Sequence, residues 1–231
     1  MALFLLGEPI AEGAEGRTIT FRTLCFRHQD DVKEVKALGP DGQSLIPVKL
    51  YTTYSLPERM MLRDNQAIFV MEDGLSADGV SPKFRVVART TVPSSVSQVL
   101  FVFLPAEKNA SEPYKLIALQ DDPKAFPYGN VRLLNLSPVP VRFHLGEQAG
   151  AKAKTVKPGG IEMVDRVQQV DDYNMYQVRI EFQGRKGFVP ISSTRWKAAD
   201  RKRDLAITYF DPDTKRPLVN VYKDVPPAAI P

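Results

Sequence analysis

Val131-Arg-Leu-Leu-Asn-Leu-Ser-Pro-Val-Pro-Val-Arg-Phe-His-Leu145, followed by Thr155-Val-Lys-Pro-Gly-Gly160, decides the fold class. Two alternating runs are hinged on Ser137-Pro138, and the proline-glycine step after them is a turn. Alternation sends successive side chains to opposite faces, so one set is buried while the other meets water. The stretch predicts an antiparallel β domain.

Downstream, residues 161–164, 173–182, 188–196, 204–210 and 218–222 are short runs rich in β-branched and aromatic residues. Gln183-Gly-Arg-Lys-Gly187 turns between two of them. Asp211-Pro-Asp-Thr-Lys-Arg-Pro217 separates two more, because proline lacks the N–H that a central strand requires. About seven strands over roughly a hundred residues is the spacing of a β-sandwich. Residues 126–224 are therefore assigned to a C-terminal sandwich, with Val225-Pro-Pro-Ala-Ala-Ile-Pro231 as an extended tail. Residues 193–204 are the rival for a helix, but their apolar residues are too few to form a stripe.

Upstream, residues 17–27 alternate as a half-buried strand should, and residues 32–38 and 44–51 flank Gly39-Pro-Asp-Gly42 as a hairpin. Residues 56–63 have the spacing of a helical turn, whereas residues 66–71 form a compact apolar run that reads as another strand. Residues 83–92 and 97–104 are strands with Pro93-Ser-Ser95 as the turn between them. The second is apolar at nearly every position, as in a strand covered on both faces. Residues 115–119 add a short strand before the aperiodic Gln120-Asp-Asp-Pro-Lys-Ala-Phe-Pro-Tyr-Gly129, where the domain boundary falls. The reading is an all-β chain of two antiparallel β-sandwich domains in tandem, 17–122 and 126–224, with little or no helix. No residue-level repeat establishes the halves as copies of one another.

Composition agrees with two packed cores. Of 231 residues, 43% are hydrophobic and 25% charged, as in ordinary globular chains, while 19 prolines, about 8% against a usual ~5%, mark many strand ends. Net charge is +4 but uneven: residues 1–125 hold 14 basic and 16 acidic side chains and residues 126–231 hold 17 and 11, or −2 and +6. Met1-Ala-Leu-Phe-Leu-Leu-Gly7 and the small residues up to position 16 look like the back half of a secretory signal whose front is missing; the alternative is a first strand or a loose arm. Elsewhere no apolar run approaches the ~20 residues that span a bilayer as a helix.

Chemistry-bearing residues are sparse. The single cysteine, Cys25, has no disulfide partner and reads as a buried structural thiol. Of the two histidines, His144 ends an alternating strand on the face opposite Phe143, and His28 precedes Gln29-Asp-Asp31, where a carboxylate orienting an imidazole is hydrolase-like. Adjacent pairs such as Asp121-Asp122 and Asp171-Asp172 point opposite ways on an extended chain, and Asp211-Pro-Asp213 lacks the glycine and glutamate of a calcium loop. No cofactor and no metal is expected. Asn109-Ala-Ser111 and Asn135-Leu-Ser137 match the glycosylation tripeptide, and neither is read as a modification site. Amphipathic aromatics beside cations, Tyr51 and Tyr54 near Arg59 and Arg63, suit sugars, anionic polymers or proteins. The densest basic residues are Arg185 and Lys186, then Arg195, Trp196, Lys197, Arg201, Lys202 and Arg203, interrupted by Asp200. These eight are the candidate binding residues. Trp196 is also suited to anchoring the second core.

The phrase Val131-Arg-Leu-Leu-Asn-Leu-Ser-Pro138, followed by a strand and Val156-Lys-Pro-Gly159, resembles uncharacterised β-sandwich modules of bacterial cell-envelope and secreted proteins, which open with V-R-x-x-N-x-S-P. The resemblance covers residues 126–224 and carries over no functional residue. It implies a periplasmic or secreted setting, with cytoplasmic residence as the alternative. The leading expectation for function is a non-enzymatic envelope protein that binds another protein or a polymer. A contact along a strand edge is one mode. The rival expectations are a hydrolase of envelope polymers using His28 with Asp30 or Asp31, and a basic module for anionic polysaccharide or nucleic acid. Nucleic acid fits less well, because the basic run is short and interrupted by Asp200.

Overall fold

A computed structural model describes residues 16–77, 79–107, 110–146, 153–211 and 216–225. The expectations for the N-terminal segment, Asn109, Asp213 and the tail beyond Val225 fall outside the described residues. The chain divides into two units, Met1–Asp122 and Pro123–Pro231, close to the boundary drawn from the aperiodic stretch. All regular structure among the described residues is strand.

In the first unit, β1 (Arg17–Cys25), β4 (Glu58–Leu62), β7 (Gln98–Pro105) and β8 (Tyr114–Gln120) form a sheet in the order β4-β1-β7-β8. A second sheet runs β3-β2-β5-β6, from β2 (Glu34–Leu38), β3 (Leu45–Lys49), β5 (Gln66–Leu75) and β6 (Pro82–Thr91). The expected hairpin around Gly39-Pro-Asp-Gly42 is β2 against β3. Its loop is held by Asp41, whose Oδ1 accepts from the Gln43 and Ser44 amides at 2.9 Å, and by Gly42 at φ 70°. Residues 56–63, which could pass for a helical turn, hold a strand, because alternate residues Met60 and Leu62 are buried when β4 pairs with β1. Pro93-Ser-Ser95 supplies the expected turn, with Val96 N donating to the Pro93 carbonyl at 2.9 Å, but the strands it joins, β6 and β7, lie in different sheets. Pairing in these sheets is antiparallel except that β7 runs parallel to β1.

Among its described residues the second unit contains β9 (Val131–Asn135), β10 (Val141–Leu145), β11 (Lys154–Val156), β12 (Ile161–Val164), β13 (Met175–Gly184), β14 (Gly187–Lys197), β15 (Arg203–Asp211) and β16 (Arg216–Asp224), eight strands where about seven were expected. Their sheets are β12-β9-β15-β16 and β11-β10-β13-β14. Counting within each unit, both units have the orders 4-1-7-8 and 3-2-5-6, and β15 runs parallel to β9 as β7 does to β1. The irregularities match as well. Val87 is the extra residue where Phe69 pairs with Ala88 and Val70 with Val86, and Ile191 is the extra residue where Ile180 pairs with Ser192 and Glu181 with Pro190. The two halves thus share one backbone plan that no residue-level repeat revealed.

The two cores differ in content. In the first, Phe69 sits 5.3 Å from Phe101 and 5.0 Å from Phe103 between ring centroids, and Phe103 lies 5.6 Å from Tyr114, all edge-on. Residues 99–104 of β7 are all buried, as the unbroken apolar run predicted. The second core is mainly aliphatic, built on Val131, Leu133, Val141, Val156, Val178 and Ile180 with Phe143 and Tyr176.

The stretch that decided the fold class contains a buried clasp. Its two runs enter different sheets, and β9 is buried at all five residues rather than alternating. Arg132 is accommodated because its guanidinium lies 4.2 Å above the Phe126 ring and donates to the Ala125 carbonyl at 3.2 Å. Asn135, fully buried, donates through Nδ2 to the Val139 and Val156 carbonyls at 2.9 Å each. Its Oδ1 accepts from the Ser137 amide at 2.9 Å and hydroxyl at 2.7 Å, and from Thr208 Oγ1 at 3.0 Å. Its backbone meets the proline-glycine turn, with Gly159 N donating to Asn135 O at 2.7 Å. Three strands, β9, β11 and β15, and the loop leading into β10 are tied through one side chain, so the N-x-S-P phrase is backbone architecture.

Candidate binding face

The sheet β11-β10-β13-β14 of the second unit brings the richest polar side chains together. On β10, Arg142 and His144 alternate with the buried Val141 and Phe143 and so face outward. On β13, Arg179 stands exposed between the buried Val178 and Ile180. Antiparallel register places Arg142 opposite Glu181 and His144 opposite Arg179. Directly opposed residues on one face are near enough to pair.

Glu181 is the centre of this group. Its Oε2 accepts from His144 Nε2 at 3.0 Å, its Oε1 lies 3.3 Å from Arg179 Nε, and Arg142 Nη1 is 3.9 Å from Oε2. The hydrogen bond from His144, with the charges of Arg179 and Arg142 behind it, holds the Glu181 carboxyl below the usual range despite partial burial. Arg142 also stacks on the Phe188 ring at 3.5 Å, the geometry of a cation–π contact. Farther along, Gln177 Nε2 donates to Ser193 Oγ at 2.9 Å, and Arg195 pairs with Asp171. Two arginines and a histidine thus surround one carboxylate, leaving the face cationic, with Arg179 about half exposed.

The eight residues chosen from the sequence do not form one patch. Arg185 and Lys186 make the β13–β14 turn, whereas Arg195, Trp196 and Lys197 end β14. Arg195 lies nine residue steps along the strand from Lys186, roughly 30 Å. Trp196 packs partly buried against the second core, 6.4 Å from Tyr176. Arg201 is exposed in the following turn, but Lys202 Nζ is engaged by the Lys197 carbonyl at 2.5 Å and by Asp204 Oδ2 at 2.6 Å. Arg203 is not a surface residue. At 3% exposure it donates from Nε to Asp224 Oδ2 at 2.6 Å and from Nη1 to the Phe126 carbonyl at 2.7 Å, with its guanidinium 4.7 Å over the Phe126 ring. A basic run in sequence becomes part internal ion pair and part surface, because β15 starts inside it.

The histidine-aspartate pairing proposed for hydrolysis does not converge. His28 Nε2 donates to the Leu50 carbonyl at 2.7 Å, and Asp30 and Asp31 occupy an exposed turn at φ 50° and 56°. Cys25 is buried, and desolvation raises its thiol to about 11, so the thiolate is scarce at neutral pH. Among the described residues no group of three or more His, Cys, Asp or Glu side chains is placed to hold a metal ion. Sequence reasoning missed Arg142, Arg179 and Glu181. The available signal was their alternation with apolar neighbours, but which strands pair was needed to bring them together. Tyr54, noted as an aromatic near cations, stacks under Arg22 at 4.7 Å, while Arg63 Nη2 donates to the Gly42 carbonyl at 2.8 Å.

Fold and face together define a tandem β-sandwich protein with one markedly polar, cationic sheet surface. No protein-family model matches the chain, and no curated protein matches it. No helix among the described residues is long and apolar enough to cross a membrane.

Proposed function

We propose that this is a non-enzymatic cell-envelope or periplasmic protein that binds a protein or polymer partner on the outer face of its second sandwich, around Arg142, His144, Arg179 and Glu181. The observation that carries the reading is the clustering of three cationic or cation-forming side chains and the Phe188 ring on one sheet face, with a single carboxylate to offset them. Guanidinium groups favour carboxylate and phosphate partners through paired N–H donors, so the face selects for acidic groups. The envelope compartment is supported by the resemblance of the Val131–Pro138 phrase.

The test is binding of the whole chain to polygalacturonate, polyglutamate and neutral dextran. Retention on one of the acidic polymers, weakened at least about tenfold by Arg179→Glu and by raised salt, is the expected result. Equal binding to dextran, or indifference to Arg142→Glu and Arg179→Glu in folded protein, overturns it.

A further inference from the structure

The first unit repeats, position by position, the strands that carry the binding face of the second. Counting from the shared bulge, where Val87 and Ile191 are the extra residues, Val70 corresponds to Glu181, Glu72 to Gln183 and Phe84 to Phe188. On the neighbouring strand Lys36 pairs with Val70 as Arg142 pairs with Glu181, so Lys36 corresponds to Arg142. In both units this cation reaches across the middle strand, β5 or β13, to the same phenylalanine. Lys36 Nζ lies 5.5 Å from the centre of the Phe84 ring, and the Arg142 guanidinium lies 3.5 Å from that of Phe188. What differs is the carboxylate. In the first unit it is Glu72, directly opposite Phe84, and Lys36 is hydrogen-bonded to it as an ion pair. In the second unit that position is Gln183, whose Nε2 donates to the Gly184 carbonyl at 3.0 Å, and the carboxylate, Glu181, stands two residues away. Three cations share Glu181, and Arg142 is the farthest from it at 3.9 Å, beyond hydrogen-bond reach. Among the described residues no acceptor takes a hydrogen bond from the Arg142 side chain, which is 35% exposed.

We infer that the first unit holds a closed copy of this acid-binding site, and that the residue opposite the phenylalanine, Glu72 in one unit and Gln183 in the other, decides whether a copy is closed or open. The inference rests on the reading of the second unit's outer face as a surface for acidic groups. A carboxylate built into the same sheet competes for its cation at a high effective concentration, so a dissolved one does not displace it. Its charge also repels an arriving acid, whereas glutamine has the same shape and no charge. The cations follow the same division. The compact Lys36 ammonium is matched by one carboxylate, whereas the Arg142 guanidinium, held on the Phe188 ring, keeps a planar fork of N–H donors for a carboxylate from outside.

Isothermal titration of the full chain with tetragalacturonate and with tetraglutamate tests this. The parent is expected to take one oligomer per chain, of one of the two kinds. Gln183→Glu should weaken that binding at least about tenfold, by giving Arg142 a carboxylate where Lys36 already has one. Glu72→Gln should raise the stoichiometry to two per chain, and adding Lys36→Ala to it should return the count to one. The two substitutions lie in different units, and should Gln183→Glu unfold the second, Gln183→Asp replaces it. A parent that binds neither oligomer overturns the reading of the face, and this inference with it. A parent that binds, while folded Gln183→Glu stays within about twofold of it or folded Glu72→Gln still takes one oligomer, overturns this inference alone and leaves the two ring contacts as pins between strands.

Discussion

Truncating Asn135 to alanine tests the clasp that organises the second sandwich. The substitution removes two Nδ2 donors and an Oδ1 acceptor from a fully buried site. Some partners have second choices: Ser137 Oγ still reaches the Val139 carbonyl at 2.9 Å and Thr208 Oγ1 the Leu134 carbonyl at 3.3 Å. The Ser137 amide and the Val156 carbonyl lose the contact outright. A buried polar group left without its partner costs about 1–3 kcal/mol, so the pair gives about 2–6 kcal/mol. That is a large share of the about 5–15 kcal/mol that holds an ordinary domain together. The only tryptophan, Trp196, lies in the second unit, so its fluorescence in a urea titration reports that unit. With a slope of about 1–3 kcal/mol per molar urea, the Trp196 midpoint should fall by roughly 2 M. Asn135→Asp, which keeps the shape but loses both donors and introduces a charge, should be at least as damaging. An unfolding free energy for Asn135→Ala within about 0.5 kcal/mol of the parent's would refute the clasp, since surface substitutions behave that way.

Three further outcomes are expected. Arg203→Ala should lower the unfolding free energy read by Trp196 by about 3–5 kcal/mol, because it takes the buried Asp224 carboxylate's guanidinium away, whereas the exposed Arg201→Ala stays within about 0.5 kcal/mol; equal effects would return Arg203 to the surface. Cys25 should resist a thiol reagent in the folded protein at mildly alkaline pH and react fully in denaturant, given a thiol raised to about 11 by burial; prompt reaction when folded contradicts that placement. The Glu181 carboxyl, followed by carbon NMR, should titrate below its ordinary 4.5 and move back up in His144→Ala. A depressed folded value means that this pairing contributes stability above the unfolded value and loses it as pH falls through the folded one, so His144→Ala should narrow the gap between neutral and acid stability. An unchanged Glu181 titration in the variant would remove His144 as the main cause.

Much of the architecture was legible without coordinates because strand periodicity and turn chemistry are local. Alternation marked β1 and β10, compact apolar runs marked β5 and β7, proline and glycine marked strand ends, and the aperiodic run up to Gly129 lay at the boundary. Pairing is not local. Nothing in Lys83–Leu104 announces that its two strands enter different sheets, and nothing in β9 or β15 announces a parallel partner. The same limit hid the binding face, since Arg142 and Glu181 are neighbours only through the β10–β13 register.

Arg201, Lys202 and Arg203 show the division most plainly. The sequence by itself determined that this segment is basic, that the chain is all β and that Asn135-Leu-Ser-Pro138 breaks a strand, because residue type and spacing carry that information. Only the tertiary structure decided that Arg201 meets water, that Lys202 caps Asp204 and that Arg203 is sealed against Asp224 and Phe126. Successive strand residues face opposite ways, and which side is solvent depends on what the rest of the chain lays over each face.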